Sequence, residues 1–142
     1  MKIRKAKKKD LKYIIDIFMT EGKKKPYLHK FTKKKLTDTF GSALKKKEMW
    51  VAMIDEKIVG FIWGGFSSVS KKIVYVDDLW ILSKYQGRGI GKELMAIVEK
   101  YYKKKCVNII RLTSYTESKA FGFYKKLNYK PSKKLVLLEK KL

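Results

Sequence analysis

Residues 74–91 read VYVDDLWILSKYQGRGIG, and this stretch decides how the rest of the chain is interpreted. The apolar run up to Ile81 is typical of a buried strand, and the glycines at 87, 89 and 91 indicate a loop. From Ile90 onward, apolar residues recur at helical spacing. The stretch therefore predicts a strand, a glycine-rich loop and the N-terminus of a helix.

This order of elements predicts a binding site for an anion. The first turn of a helix leaves backbone N–H groups without intrahelical partners, and the aligned peptide dipoles make that end partly positive. Glycines lack the Cβ atoms that would hold a phosphate away from the backbone, and they permit positive φ angles. Arg88 and Lys92 add positive charge beside the loop. We therefore expect a ligand that carries phosphate at residues 86–92.

Two common nucleotide-binding motifs do not fit the loop. A P-loop needs Ser or Thr after Gly-Lys to hold magnesium, but Gly91-Lys92 is followed by Glu93. A dinucleotide-binding fingerprint needs its third glycine one position later than Gly91. The anion site therefore belongs to another class.

Length and composition limit the class of protein. A chain of 142 residues with 45% hydrophobic residues suits one folded domain, residues 1–142. His29 and Cys106 are the only histidine and cysteine, so we expect no metal site. No apolar run reaches the roughly 20 residues of a membrane span, and the N-terminus has no apolar signal region, so we expect a cytoplasmic protein without a membrane partner.

The net charge of +23 is spread along the chain rather than gathered in one stretch. Short lysine runs recur near the ends of predicted elements, which favours a generally solvated surface over a dedicated nucleic-acid site. Nucleic acid is therefore a possible partner that we do not favour.

The periodicity of the remaining residues predicts the other elements. We expect strands at residues 2–7, 49–54, 57–66, 74–81, 108–114 and 135–140, and helices at 11–22, about 36–44, 90–104 and 120–127. The segment 23–32 is expected to be a loop that leaves His29 on the surface. This order predicts an α/β (mixed α+β) fold, in which a mixed, mostly antiparallel sheet of six to seven strands carries about four helices on its faces.

Three features of the chain resemble the GCN5-related N-acetyltransferase (GNAT) superfamily. They are Gln86-x-x-Gly89-x-Gly91, the strand before it, and the sequence AFGFYKKLNY at 120–129. The resemblance covers about residues 73–130 and implies an acyl-CoA N-acyltransferase fold whose sheet opens between the fourth and fifth strands. It also implies acetyl-CoA as cosubstrate.

The resemblance also implies which residues contact acetyl-CoA. The pyrophosphate would bind backbone N–H groups of the loop, and the strand before it would bond the pantetheine as though it were an added strand. The expected cofactor-binding residues are Ile81, Leu82, Ser83, Gln86, Gly87, Arg88, Gly89, Ile90, Gly91, Lys92, Glu117 and Tyr124.

Three positions depart from the pattern of the family. Glu117 stands where many members have asparagine, and Ser83 stands where proline is common. Asn128 occupies a position that is glycine in the family motif. Asparagine visits the left-handed region more readily than other residues with a side chain, so it can replace glycine here if the backbone is left-handed.

By the same resemblance, Tyr124 would stand near the sulfur of the thioester. A phenol with its reference pKa of about 10 is protonated at neutral pH, so Tyr124 can donate a proton to the departing thiolate. A backbone N–H near Leu82 would hold the developing oxyanion.

The amine must lose a proton before it attacks, and Asp77 and Asp78 on the incoming strand are the first candidates for the base. Because strand side chains alternate, we expect the two to point to opposite faces, so that at most one faces the cleft. Glu48 and Glu117 are further candidates. The residues alone do not choose among them.

These features predict an N-acetyltransferase that moves an acetyl group from acetyl-CoA directly to a primary amine of a protein, a peptide or a small molecule. The alternative is a basic RNA- or ribosome-associated module that keeps a CoA-binding fold without efficient transfer. The positive charge favours neutral or acidic acceptors over polyamines. Either a monomer or a homodimer is compatible with the sequence.

Overall fold

The computed structural model describes residues 1–46 and 48–142, and within them the chain forms five strands and four α-helices. The strands are β1 (Lys2–Lys5), β2 (Met49–Ile54), β3 (Lys57–Phe66), β4 (Ile73–Ile81) and β5 (Ile109–Arg111). The helices are α1 (Leu11–Gly22), α2 (Lys33–Lys45), α3 (Ile90–Lys103) and α4 (Lys119–Lys126). No helix among the described residues is long and apolar enough to cross a membrane.

The strands form one sheet in the order β1-β2-β3-β4-β5. The first four are antiparallel neighbours, and β5 is parallel to β4. The predicted mixed, mostly antiparallel sheet with four helices is therefore confirmed. The prediction of six to seven strands is wrong, because the sheet formed by the described residues has five.

The strand expected at residues 135–140 does not form. The backbone amides of Lys134 and Leu135 donate to the Ser132 hydroxyl, at 3.2 and 3.0 Å, so a local turn occupies the start of the segment. Val136, Leu137 and Leu138 then lie exposed. An apolar run is not sufficient for a strand, because a strand also needs a neighbour that supplies backbone hydrogen bonds.

The helices cover both faces of the sheet. Alternate residues of β2 divide between two apolar clusters, since Val51 packs with α1 and α2 whereas Ala52 packs with α3. The α1/α2 cluster includes Ile14, Phe18, Leu36, Phe40 and Phe61. The α3/α4 cluster includes Val59, Val74, Leu94, Val98 and Tyr124.

The sheet opens between β4 and β5, as expected. Strand β4 pairs with β3 as far as Ile81, but it pairs with β5 only from Ile73↔Ile109 to Tyr75↔Arg111. Beyond Tyr75, the β5 side of β4 has no strand partner. This gap separates the two strands on the side where the glycine loop begins.

Strand β4 carries one extra residue at Asp77. The β3–β4 register pairs Trp63 with Asp78 and Gly64 with Val76, so Asp77 has no partner. Val76 and Leu79 consequently both pack on the α3 side, although they are three residues apart. Asp77 and Asp78 both line one cavity beside β4, so the prediction that at most one of them faces the cleft is wrong. The bulge interrupts the two-residue period on which that prediction depended.

The C-terminal end of α4 is fixed by backbone hydrogen bonds around Asn128. The N–H of Asn128 donates to the Lys125 carbonyl, and the N–H of Tyr129 donates to the Tyr124 carbonyl, both at 3.0 Å. Asn128 has a φ of 66°, so this position is left-handed and asparagine takes the place of the glycine of the family motif. This closure holds the turn of helix that carries Tyr124.

Candidate active site

The glycine loop between β4 and α3 presents free amides at an open surface. The N–H groups of Gln86 and Glu93 donate to backbone carbonyls, whereas those of residues 87–92 have no hydrogen-bond partner among the described residues. Gly87 and Gly89 have φ angles of 75° and 80°, and a Cβ at either would meet no heavy atom within 4 Å. Free amides around open space at a helix N-terminus are suited to hold an anion.

Gly91 serves packing rather than the loop surface. A Cβ there would lie 3.0 Å from Cζ of Phe123 and 3.2 Å from Cδ1 of Ile81. The absence of a side chain therefore lets α3 approach both α4 and the end of β4. All three glycines were expected to serve the anion-binding loop. In the structure, Gly87 and Gly89 supply its left-handed backbone, whereas Gly91 permits close packing.

The end of β4 is tied to the loop by Gln86. Its side-chain Nε2 donates to the Ile81 carbonyl at 2.8 Å. The N–H of Leu82 donates to the Val59 carbonyl of β3 at 2.9 Å, so that amide is not free. Antiparallel strands alternate the side on which they bond, so the backbone N–H groups of Ile81 and Leu79 face the opening.

A buried carboxylate, Glu21, connects the end of α1 to the residue that begins the loop. It accepts hydrogen bonds from the Ser83 N–H at 2.9 Å and the Ser83 hydroxyl at 2.8 Å, and it pairs with Lys24 at 2.9 Å. Burial raises the pKa of Glu21, but the hydrogen bonds from Lys24 and Ser83 outweigh it and hold that pKa below its usual value. The hydrogen bond from the Ser83 N–H to Glu21 therefore depends on this position not being proline, because proline has no backbone N–H.

A cavity of about 530 Å³ lies beside the open part of β4. It brings together the three residues predicted to be catalytic, Asp77, Asp78 and Tyr124. Glu117 and Glu48 do not line it, and neither do residues 81–92 of the strand end and glycine loop. The other lining residues include Leu79 and Trp80 of β4, Thr113 to Tyr115 after β5, Ala120 of α4, and Leu137 and Glu139 near the C-terminus.

Tyr124 lines this cavity and is 8% exposed. Its hydroxyl makes no hydrogen bond to a described residue and is not among the buried polar atoms that lack a partner, so it is accessible from the cavity. Burial raises the pKa of Tyr124 well above its reference value, and neighbouring Tyr27 and Asp78 raise it further. The phenol therefore keeps its proton at neutral pH.

The two aspartates differ in environment. Desolvation, followed by the negative charges of Asp78 and Glu48, raises the pKa of Asp77 to about 6. Burial also raises the pKa of Asp78, against the lowering effect of a hydrogen bond from Trp80 Nε1, which lies 2.9 Å from Asp78 Oδ1. Neither carboxylate forms an ion pair with a described residue. The pKa of Asp77 therefore lies within reach of neutral pH.

Much of the cavity wall is aromatic, and most of these rings were not predicted as site residues. His29, expected on the surface, is partly buried and stacks on Phe18 with ring centroids 5.4 Å apart. Burial lowers the pKa of His29, which keeps the imidazole neutral at neutral pH. Tyr27, His29 and Phe31 all line the cavity. Their alternation along residues 23–32 was the signal that could have predicted a shared side.

We predict that Glu21→Gln lowers the free energy of unfolding at pH 7 by about 1–3 kcal/mol, since it removes a buried charge that holds three hydrogen bonds. Because the folded-state pKa of Glu21 is lowered, its contribution is present above the unfolded value of about 4.5 and is lost as pH falls further. Urea unfolding at a series of pH values measures this.

The difference between wild type and Glu21→Gln should therefore shrink below about pH 4.5. The exposed Glu56→Gln provides the matched control, with no comparable change. A Glu21→Gln protein as stable as wild type at pH 7 would contradict the role given to this carboxylate.

Comparisons with known proteins agree with the geometry. The sequence model of the Acetyltransferase (GNAT) family matches residues 11–129. No curated protein matches the chain.

Solved structures match over nearly the whole chain. A transcriptional regulator from Bacillus halodurans C-125 is 22% identical with a TM-score of 0.77, covering 97% of this chain and 98% of that one. An aminoglycoside acetyltransferase from an uncultured soil metagenomic sample is 21% identical with a TM-score of 0.74, covering 99% and 95%. An aminoglycoside N-acetyltransferase in complex with CoA is 16% identical with a TM-score of 0.77, also covering 99% and 95%. At sequence identities this low, the similarity to these structures shows a shared fold and nothing more.

Proposed function

This chain belongs to the Acetyltransferase (GNAT) family, and from that premise we propose that it transfers an acetyl group from acetyl-CoA directly to a primary amine. The observation that carries the proposal is the opening beside β4. At one end of the opening lie the free amides of residues 87–92, and in the adjoining cavity lies the unpartnered hydroxyl of Tyr124. A phosphate site and a proton donor at the two ends suit a long thioester.

The backbone along this opening would bind the cosubstrate. The amides of residues 87–92 would hold the pyrophosphate, with Arg88 and Lys92 nearby. The N–H of Ile81 and the carbonyl of Leu79 would bond the pantetheine in the manner of an added strand. The carbonyl of Ile81 already accepts from Gln86, so Gln86 would fix the strand end rather than contact the phosphate with its side chain.

The transfer follows from the placement of three groups. The ammonium group of the acceptor first gives one proton to water; its neutral nitrogen then attacks the acetyl carbon, and the bond from that carbon to sulfur breaks. Tyr124 gives its proton to the thiolate, and the base takes the proton that the new amide nitrogen releases. Because the Leu82 amide is engaged by Val59, we assign the oxyanion donor to the N–H of Leu79, which lines the cavity.

Asp77 is the base that the structure supports best. Its carboxylate lines the cavity, has no ion-pair partner among the described residues, and has a pKa of about 6. A base is most effective when its pKa lies near the working pH. Asp78, tied to the indole of Trp80, is better placed to orient that ring.

The alternative, a basic RNA- or ribosome-associated module, is not favoured. The family match is to acetyltransferases, and the cavity concentrates the groups that a transfer needs. Binding of RNA would arise from the distributed lysines and would weaken steeply with salt.

We predict that Gly89→Glu raises the Kd for acetyl-CoA by about 10² or more, because it places a carboxylate where the pyrophosphate would lie. Isothermal titration calorimetry measures the affinity. Val69→Glu adds the same charge at a side chain that is 89% exposed in the β3–β4 loop, and it should bind normally. Unchanged affinity in the Gly89 variant would remove the loop from the binding site.

We expect Tyr124→Phe to lower kcat by about 10² while the Kd for acetyl-CoA stays the same, since the change removes a proton donor but little contact area. Release of free CoA thiol gives the rate. Tyr129→Phe is the matched control, because that hydroxyl donates to Glu99 instead. Wild-type turnover in Tyr124→Phe would exclude the tyrosine from the chemistry.

The rate should rise with pH through about 6 if Asp77 is the base, because only its carboxylate form accepts a proton. In Asp77→Asn this rise of the rate with pH should disappear, and kcat/KM should fall by a factor of about 10² or more. In Asp78→Asn the rate should still rise with pH, but the rise should occur at lower pH, because the charge of Asp78 helps to raise the pKa of Asp77. A pH profile of kcat/KM that is the same in wild type and Asp77→Asn would rule this assignment out.

A further inference from the structure

The part of the cavity away from Tyr124 is walled by aromatic rings. We define this aromatic chamber by six side chains that all line the cavity: Phe18, Tyr27, His29, Phe31, Trp80 and Tyr115. Adjacent rings are in contact, with centroids 4.8 Å apart for Tyr27 and Trp80, 5.3 Å for Phe18 and Trp80, and 5.6 Å for Tyr27 and Tyr115. The rings thus form one continuous surface.

The rings form walls rather than a flat stack. Tyr27 stands at 72° to Trp80 and at 79° to Tyr115. Phe31 and Tyr115 remain 41% and 52% exposed, although both rings border the cavity. Exposed aromatic surface that borders a cavity indicates a binding site for an apolar ligand, because a core would have buried it.

The chamber also carries negative charge. Asp77, Asp78 and Glu139 line the cavity together with a single cation, Lys35. Asp77 and Asp78 have no ion-pair partner among the described residues, although the chain has 36 basic residues and 13 acidic ones. Two carboxylates left unpaired in so basic a protein favour a cation that comes from outside.

Trp80 connects the aromatic wall of the cavity to the carboxylate of Asp78. Its Nε1 donates to Asp78 Oδ1 at 2.9 Å, which fixes the plane of the indole at the cavity wall. The faces of Trp and Tyr rings attract cations, and a nearby carboxylate strengthens that preference. Tyr124 lines the same cavity, so a cation held here is close to the proposed site of transfer.

Resting on the proposed function, we propose that the aromatic chamber selects as acceptor a small arylalkylamine: one primary ammonium group on a short chain that ends in an aromatic ring. The ring would pack among Tyr27, Trp80 and His29, and the nitrogen would lie toward the aspartates and Tyr124. A polyamine has no ring, so it would leave the aromatic walls without the apolar contact that they offer. The acceptor class is thus set by the local wall and not by the net charge of the chain.

The test is calorimetric titration of amines into the protein saturated with CoA. The probes are 2-phenylethylamine, 2-cyclohexylethylamine, 2-phenylethanol and spermidine, which separate ring, charge and number of charges. We expect 2-phenylethylamine to bind about tenfold or more tightly than each of the others. Binding of spermidine or of the cyclohexyl amine as tightly as the phenyl amine would overturn the proposal.

Variants locate the site. Tyr27→Leu should weaken 2-phenylethylamine binding about tenfold, because it removes one aromatic ring of the chamber. Asp78→Asn should weaken binding to a similar extent, because it removes the negative charge while keeping an acceptor for Trp80 Nε1. Tyr13→Leu, an exposed ring of α1 outside the cavity, should bind as wild type. Circular dichroism checks folding. If neither chamber variant weakens binding, the chamber is not the site.

Thiol release from acetyl-CoA with the same amines separates this proposal from the transferase itself. Selective binding of 2-phenylethylamine without thiol release would refute the transferase proposal and leave the chamber standing. Thiol release with peptides or spermidine, but none with the aryl amine, would refute the arylalkylamine proposal alone. Release that is fastest with 2-phenylethylamine supports both.

Discussion

The site depends on one constraint: β4 is paired with β3 along its length except at the Asp77 bulge, whereas its other side is largely unpaired among the described residues. Its bonds to β3 continue to Ile81, whereas those to β5 stop at Tyr75. Backbone N–H and C=O groups left without partners are costly unless water or a ligand satisfies them. The structure therefore holds a preformed row of hydrogen-bonding groups between a glycine loop and a cavity, and the strand supplies both the scaffold and the binding edge.

Much of this arrangement could be predicted from local patterns. The loop at residues 86–91 and the helix after it depend on glycines and apolar spacing, and both are strong signals within a few residues. The residue type at Asn128 was compatible with the left-handed backbone that the structure has there. The features that escaped prediction depend on distant partners. The bulge at Asp77 exists only relative to β3. The segment after Ser132 has no neighbouring strand among the described residues, and its apolar composition alone could not show this.

The acceptor side was harder to predict for a related physical reason. Net charge is a sum over the whole surface, whereas a cavity responds to the few groups that line it. A total of +23 coexists with a pocket in which carboxylates outnumber cations. His29 illustrates the same point, because a lysine-rich neighbourhood in sequence places it on the surface, while stacking on Phe18 places it in the wall. Composition thus constrained the class of protein better than the class of acceptor.

The contribution of the C-terminal segment to the cavity has an evolutionary consequence. Leu137 and Glu139 reach the cavity from a stretch that belongs to no strand or helix, and Tyr27 and His29 reach it from a loop. Substitutions in such segments disturb few backbone hydrogen bonds, so they are tolerated more readily than changes in the sheet. The wall that faces the acceptor can therefore diverge while β4 and the glycine loop stay constant. Related chains can acquire new acceptors without rebuilding the machinery for acetyl transfer.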